Sequence, residues 1–165
     1  MRVLCLAFLL ALALPASAQT YASGLTVTLP EDWSGPETVD ESEMPRTASY
    51  RYENTNAASA LHGAVVHVER ITGLNPMMQA RWQQGRVPFG YHGARPVAAL
   101  PREQVPFVRA AGVRTERDGR TGAVYFVTVG TTYWAVQVEV PDATAEADPD
   151  VLTTLARSVR LGASE

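Results

Sequence analysis

Lysine is absent from this chain of 165 residues, and all 14 of its basic side chains belong to arginine. A Schiff base and every other lysine-dependent mechanism are therefore excluded. Cysteine is almost absent too, since the single Cys5 lies in an apolar N-terminal run. If that run is removed as a leader, the mature chain has no thiol for a disulfide, a metal–sulfur bond or a nucleophile.

The N-terminal residues have the three parts of a secretory signal peptide. Arg2 supplies the positive charge, Val3–Leu14 is an uncharged apolar run, and Ala16-Ser17-Ala18 fits the small-x-small pattern that signal peptidase accepts. The run is about 12 residues long, against the roughly 20 that a transmembrane helix needs. We therefore predict a signal peptide over residues 1–18, export to the periplasm or the extracellular space, and a single domain over residues 19–165 without a transmembrane segment.

The mature chain carries no strong excess of charge. Removal of Arg2 with the leader leaves 13 arginines against 17 acidic residues. This slight acidity disfavours nucleic acid and anionic membrane surfaces as partners. We expect the partner to be a protein or another component of the cell envelope, and the sequence leaves its identity open.

Recognisable motifs for catalysis, nucleotide binding and metal binding are also missing. The chain has no G-x-S-x-G elbow, no G-x-G-x-x-G and no G-x-x-x-x-G-K-[ST]. His62 and His67 are five residues apart, so they face opposite ways on a strand. His67 shares a face with Glu69, which is too few ligands for a metal site and which we interpret as a solvated strand face. We predict no cofactor and no metal.

Several short segments alternate apolar and polar residues, which is the period of a half-buried strand. Leu25, Val27 and Leu29 form one such row, and similar rows surround Tyr50 and Val66. The Asp118-Gly119 dipeptide marks a hairpin turn. Between the first rows, residues 34–47 contain four acids and a proline near each end, so we predict a loop there.

Two segments change to the helical period of about 3.6 residues. Asn75 and Pro76 suit the start of a short central helix, and Gly85 suits its end. Asp148 and Pro149 suit the start of a C-terminal helix in the same way. The apolar stripe of that second helix comprises Val151, Leu152, Leu155 and Val159. The predicted fold class is α+β, with an antiparallel sheet of about six strands and helices packed on its faces.

The segment Gly122–Pro141 places four aromatic residues among valines, with one charge. A two-residue turn at Asp118-Gly119 would pair Tyr125 with Gly112, and an even number of residues in the loop at Gly130 would pair it with Val136. Large residues then lie beside small ones in one continuous apolar face, which predicts a packed core layer rather than a ligand platform. The opposite face is too apolar for a solvated surface, so we expect both faces to be covered.

The order of these elements resembles the PsbP-like superfamily, which includes PsbP and the periplasmic DcrB-like proteins. The resemblance rests on "GLTVTLPEDW", "VHVERITGLNPMMQARW", "YWAVQVEVP" and "DVLTTLARSVRL". It implies an α/β/α sandwich that acts as a binding or assembly module, usually without catalysis. It implies no catalytic residues.

Residues 86–106 form the least ordinary stretch, with four prolines and two glycines. Long loops in a compact domain are often functional, and aromatic and arginine side chains commonly anchor interfaces. The candidate binding residues are Arg86, Phe89, Tyr91, His92 and Arg95. The alternative is that Phe89 and Tyr91 fold under the loop and cover the second face of the sheet.

The prediction for function is an exported, non-enzymatic binding or assembly module of the cell envelope with an unknown partner. The alternative is a small periplasmic hydrolase without a recognisable motif. A polar cleft with convergent titratable groups would favour the enzyme, and a shallow surface would favour the binding module.

Overall fold

A computed structural model describes residues 16–21, 24–30, 32–38, 49–71, 77, 80–81 and 93–162. The strands within these ranges are β1 Ala16–Thr20, β2 Leu25–Pro30, β3 Trp33–Thr38, β4 Ser49–Asn54, β5 Val65–Ile71, β6 Arg95–Ala99, β7 Ala110–Arg117, β8 Arg120–Val129, β9 Thr132–Pro141 and β10 Val159–Leu161. The same ranges contain a 3-10 helix, Arg102–Gln104, two short α-helices, α1 Asp142–Ala147 and α2 Val151–Arg157, and three further helical residues at 77, 80 and 81.

The strands form two antiparallel sheets instead of one. The larger sheet has seven strands in the order β3-β4-β5-β9-β8-β7-β6, and the smaller has three in the order β1-β2-β10. The predicted α+β sandwich, with about six strands and helices on its faces, is therefore wrong: the protein is mostly β. The row Leu25, Val27 and Leu29 does form a strand, but that strand pairs with β1 and β10 in the smaller sheet.

Of the strands that were not predicted, β1 lies across the end of the predicted signal peptide, and β3 and β10 have local signals that point elsewhere. β3 crosses Pro36 in the segment that the sequence predicts as a loop, and its pairing with β4 shifts between Ser34 and Glu37. Proline is tolerated there because β3 is an edge strand and Pro36 lies where the pairing shifts, so no backbone hydrogen bond to β4 is required from it. β10 follows Arg157, where α2 ends and the chain straightens so that Val159 pairs with Val27.

The register of the central hairpins agrees with the prediction. Arg117 pairs with Arg120 across the two-residue turn Asp118-Gly119, where Gly119 has a φ of 68°. Tyr125 lies opposite Gly112 on β7 and opposite Val136 on β9, and the second turn, after Val129, also has two residues.

One core fills the space between the two sheets and α2. It contains the inward row of β2, the apolar face of the central hairpins and the stripe of α2, and every member is buried. Its largest members are Trp134 and Tyr125, at 1% and 0% exposure. A second, smaller cluster lies on the other face of the larger sheet and comprises Val113, Val124, Phe126 and Ala135. Both faces of the hairpins are therefore covered, as expected.

The two predicted helices have different outcomes. The C-terminal helix exists, and Asp148 Oδ1 accepts a hydrogen bond of 3.0 Å from Asp150 N just before it. Its four predicted stripe residues are buried, although Val159 belongs to β10. For the central helix, Met77, Ala80 and Arg81 are helical, and its other residues lie outside the described part of the chain.

The predicted cleavage site falls inside β1. Cleavage after Ala18 would leave Gln19 and Thr20 of that strand, paired with Val27 and Thr26. In the part of the chain that the structure describes, no helix is long and apolar enough to span a bilayer.

Candidate functional site

A charged cleft lies at the end of the larger sheet where β7 turns into β8. It has a volume of about 820 Å³. The described residues that line it include four arginines, four acids and four small residues, namely Arg95, Arg114, Arg117, Arg120, Glu116, Asp118, Asp142, Glu146, Gly93, Gly119, Thr121 and Ala145. Its walls are β6 and β7, the β7–β8 turn with the start of β8, and α1.

The strand side of the cleft carries both signs of charge, because Glu116 and Asp118 lie there with the arginines. All four arginines lie on the strands or next to the turn, whereas α1 supplies only acids, Asp142 and Glu146, four residues apart and on one helical face. Thr121 Oγ1 donates a hydrogen bond of 2.7 Å to Asp142 Oδ1, and the Asp142 amide donates one of 3.1 Å to the Gly119 carbonyl. These bonds hold α1 against the hairpin, so the cleft has a fixed acidic wall.

A buried carboxylate, Glu139 on β9, underlies the arginine side of the cleft. The residue is 2% exposed. Arg117 Nη2 donates to its Oε2, Arg120 Nε lies 3.6 Å from the same oxygen, and Gln137 Nε2 donates to Oε1 over 2.8 Å. The two arginine side chains remain 41% and 26% exposed. Two arginines therefore share one buried carboxylate.

The strand opposite Glu139 has a glycine, Gly122, at the paired position, which leaves room for the glutamate side chain. Glu139 pairs with Gly122, where an added Cβ would lie 2.8 Å from Val138 O and 3.0 Å from Glu139 Cγ. A side chain at position 122 would therefore displace the carboxylate. The same Cβ would lie 2.8 Å from Thr115 Oγ1, a buried hydroxyl that has no hydrogen-bond partner among the described residues.

Polar side chains continue from Glu139 across the same face of the sheet. His67 on β5 is the register partner of Gln137, and its Nε2 lies 2.6 Å from Ser49 Oγ on β4. Ser49, His67, Gln137 and Glu139 are all buried. The expectation of a solvated strand face at His67 is therefore wrong, because the face that carries it is covered.

The structure describes one of the five candidate binding residues. Arg95 lies at the start of β6 on the wall of the cleft, and its Nη2 donates to Glu116 Oε2 over 2.7 Å. The other four, Arg86, Phe89, Tyr91 and His92, lie outside the described residues. Among the described residues, no group of three or more His, Cys, Asp and Glu side chains is placed to bind a metal.

Sequence reasoning missed the part of the site built around Glu139. The signal was present, since Glu139 is the one charge in the otherwise apolar segment 122–141 and the turn before it brings two arginines. A lone charge in a strand that is buried on both faces must find cations nearby.

Burial also affects two tyrosines on the apolar face. Burial raises the pKa of Tyr125 above its ordinary value. Burial is the largest cause of the raised pKa of Tyr52 as well, followed by the hydrogen bond of 2.7 Å that its hydroxyl donates to Tyr21 Oη. Neither hydroxyl is suited to exchange protons near neutral pH.

Comparisons with known proteins find similarity in structure only. No protein-family model matches the sequence, and no curated protein matches it. The solution structure of cyanobacterial PsbP (CyanoP) from Synechocystis sp. PCC 6803 has a TM-score of 0.54 and 12% identity over 90% of this chain and 93% of that one. The chain is similar in fold to PsbP. The resemblance predicted from the sequence is thereby confirmed at the level of the fold.

A second similar structure comes from Bacteroides thetaiotaomicron. This crystal structure has a TM-score of 0.51 and 10% identity over 88% of this chain. The match covers 48% of the other protein, so this chain spans about half of its length. At these identities the PsbP-like likeness concerns the fold and carries no site residue across.

Proposed function

We propose that the protein is an exported, non-catalytic module that binds a protein or another component of the cell envelope through the charged cleft. The observation that carries the proposal is the fixed arginine pair: buried Glu139 orients Arg117 and Arg120 at the edge of an open cleft of about 820 Å³. The PsbP-like fold supports a binding role, because that resemblance implies binding or assembly.

The chemistry of the cleft favours recognition over proton transfer. Arginine stays protonated at every physiological pH, so the four guanidinium groups act as permanent positive charges. A guanidinium that is held in place loses little conformational entropy when it forms a hydrogen bond to a partner. The Glu139 contacts therefore prepare the arginines for binding before a partner arrives.

The predicted binding loop and the cleft meet at Arg95. This residue ends the set of five candidates and lies on the cleft wall. We propose that the four preceding candidates, Arg86, Phe89, Tyr91 and His92, extend the same contact surface.

The proposal is tested by crosslinking in the envelope fraction of the producing cells, followed by quantitative mass spectrometry of the captured proteins. Arg114→Glu reverses a charge on the cleft wall and should reduce the capture of the partner severalfold. Arg160→Glu is the matched control, because Arg160 is exposed on β10 and is not among the residues that line the cleft. Equal capture by the two variants would overturn the role of the cleft.

Export is tested separately. We expect the protein isolated from the producing cells to lie in the envelope or medium fraction and to begin at Gln19 in N-terminal sequencing. An N-terminus at Met1 in the cytosolic fraction would contradict the export part of the proposal.

A hydrolase is the second candidate, because Ser49 Oγ lies 2.6 Å from His67 Nε2. A serine hydroxyl within hydrogen-bond reach of a histidine is the first requirement of a serine nucleophile. Labelling of Ser49 by a fluorophosphonate probe that is lost in His67→Ala would favour the enzyme. We expect no labelling, since this serine is buried on a strand.

A further inference from the structure

Removal of the signal peptide would take part of a strand away from the smaller sheet. β1 begins before the predicted cleavage site, and all five of its residues pair with β2. The pairs that cleavage removes are Ala16 with Pro30, Ser17 with Leu29 and Ala18 with Thr28. If the chain is exported and cleaved as proposed above, the mature protein keeps β2 but loses the neighbour of its last three residues.

The backbone of Leu29 points toward the residues that are lost. In an antiparallel ladder, each residue directs both of its backbone groups to the same neighbouring strand, and successive residues alternate between neighbours. The Thr28 amide donates a hydrogen bond of 2.9 Å to Ser158 O on the β10 side, whereas Leu25 O accepts one of 2.8 Å from the Tyr21 amide on the β1 side. Leu25 and Leu29 therefore face β1, and cleavage removes the residue opposite Leu29.

A small pocket lies beside Leu29 at the same edge. Its volume is about 30 Å³, and it is lined by Gln19, Val27, Leu29, Pro30, Trp33, Gly35 and Tyr52. The indole Nε1 of Trp33 is buried and has no hydrogen-bond partner among the described residues. Paired residues of a sheet extend their side chains to the same face, so a residue opposite Leu29 would extend its side chain toward this pocket. The pocket leaves room for a small side chain, and an oxygen on that side chain suits the unused indole donor.

A strand edge without a neighbour is a place where another extended chain can pair. In recognition by strand addition, backbone hydrogen bonds provide affinity, and pockets for alternate side chains provide specificity. The edge of β2 is suited to a polypeptide, because the last residues of the predicted signal peptide occupy it as an extended chain. A second copy is a poor occupant, because its own open edge has three residues and ends at Pro30, which has no amide hydrogen to donate.

We propose that in the mature protein an extended segment of a partner protein takes the place of residues 16–18 beside β2. The segment runs antiparallel to β2, exchanges backbone hydrogen bonds with Leu29 and places a small polar side chain in the pocket beside Trp33. This surface is separate from the charged cleft, since the two share no lining residue.

The first measurement asks whether the edge is open. It compares the mature chain, residues 19–165, with a chain that begins at Leu14 and so keeps the residues that pair with Thr28–Pro30. Amide hydrogen exchange is followed by NMR. We expect the Leu29 amide to exchange at least severalfold faster in the mature chain, because it has lost its acceptor. The Thr28 amide points to β10 and is the internal control, with equal rates in both chains. Equal rates at Leu29 would overturn the proposal.

The second measurement fills the edge with a separate peptide. The probe is Thr-Ala-Ser-Ala-Thr, titrated into the mature chain while the Leu29 amide shift is recorded. The matched peptide has N-methylserine at its centre, which keeps the side chain and removes the amide hydrogen that pairs with the Leu29 carbonyl. We expect it to bind about two- to tenfold more weakly, which is the contribution of one hydrogen bond. The chain that begins at Leu14 should bind the probe at least severalfold more weakly, because its own residues fill the edge.

A third measurement tests the pocket. Trp33→Phe keeps an aromatic ring and removes the indole donor. It should weaken the serine peptide about two- to tenfold and leave the affinity of Thr-Ala-Ala-Ala-Thr unchanged. Equal losses for the two peptides would show that Trp33 acts on the edge through packing and would remove the polar side chain from the proposal.

The other results overturn the proposal in distinguishable ways. A dimer of the mature chain in sedimentation that is absent from the chain beginning at Leu14 would assign the edge to a second copy. If the protein from the producing cells begins at Gln19 but no peptide binds, strand addition is wrong and the export part of the proposed function stands. If the protein begins at Met1 in the cytosolic fraction, both fail.

Discussion

On β9, alternate residues point to opposite faces of the larger sheet, and the two sets differ in their chemistry. Trp134, Val136 and Val138 face the main core, where each is at most 1% exposed. Gln137 and Glu139 point the other way and are as well buried, at 2% each. Burial is thus equal in the two rows, but the first row is entirely apolar, whereas the second contains a charge that is paired with arginines.

This difference indicates what each face contributes. Buried apolar surface stabilises the fold in proportion to its area, about 25 cal/mol per Å². A buried ion pair often gives no net stability over an apolar pair of the same volume, because both charges must be desolvated. The Glu139 cluster is therefore better explained by the arginines that it fixes at the cleft than by stability.

The largest effect is expected from a break in the apolar face. Trp134→Ala removes a large side chain at 1% exposure and should lower the free energy of unfolding by about 3–5 kcal/mol. Urea denaturation followed by circular dichroism measures the change. Val97→Ala, at 45% exposure on β6, should change it by less than about 0.5 kcal/mol. A small loss for Trp134→Ala would show that this face is not the main core.

The apolar face is also the part of the molecule that the sequence predicts best. Period-two alternation and the Asp118-Gly119 turn fix the pairing of Tyr125 with Gly112 and Val136, because both signals are local. The polar face depends on contacts between distant segments. Arg120 Nη2, for example, donates over 2.6 Å to the carbonyl of Gly63, a residue 57 positions away. Nothing near Arg120 in the sequence identifies that partner.

The division into two sheets is equally non-local. Leu25, Val27 and Leu29 have the pattern of a strand, and the prediction that a strand forms there is confirmed. Alternation does not specify which strand lies beside it, however, and β10 at the far end of the chain provides one neighbour. The prediction of a single sheet was wrong because the neighbours of each edge strand are set by pairings between segments far apart in the sequence.

A second prediction concerns the removal of the two arginines from the polar face. Arg117→Ala combined with Arg120→Ala leaves the buried Glu139 carboxylate without a cation, which should cost about 3 kcal/mol of unfolding free energy. Adding Glu139→Gln should restore more than half of the loss, because a neutral amide needs no cation. The Arg120–Gly63 hydrogen bond is absent from both variants, so their difference isolates the charge. Equal stability of the double and triple variants would assign the cost to the packing of the arginine stems instead.

Alkaline pH should weaken the apolar face selectively. The chain has no lysine, and burial raises the pKa values of Tyr52 and Tyr125. A raised pKa in the folded state means that both hydroxyls stay neutral there, so their contribution is complete below the unfolded value of about 10 and is lost as the pH rises above it. The expected loss is about 1.4 kcal/mol per pH unit for each tyrosine. Urea midpoints between pH 7 and 11 measure it.

The matched control for the alkaline experiment is Tyr52→Phe. Above pH 10 this variant should lose less stability per pH unit than the parent chain, because Tyr125 is then the one remaining tyrosine of the pair. At neutral pH it should lose about 1 kcal/mol, because the hydrogen bond to Tyr21 is gone. Constant stability up to pH 11 in the parent chain would contradict the burial of these hydroxyls.

The smallest effect on stability is expected at the cleft wall. Arg95 and Glu116 form an ion pair of 2.7 Å, but their side chains are 74% and 48% exposed. Arg95→Ala should therefore lower the free energy of unfolding by less than about 1 kcal/mol. The same variant should slow association with the crosslinked partner, because an exposed charge attracts a partner over a distance. Added salt shortens that distance, so it should reduce the difference in association rate between the variant and the parent chain. A variant that unfolds early and still binds at the parental rate would assign Arg95 to the scaffold and remove it from the binding surface.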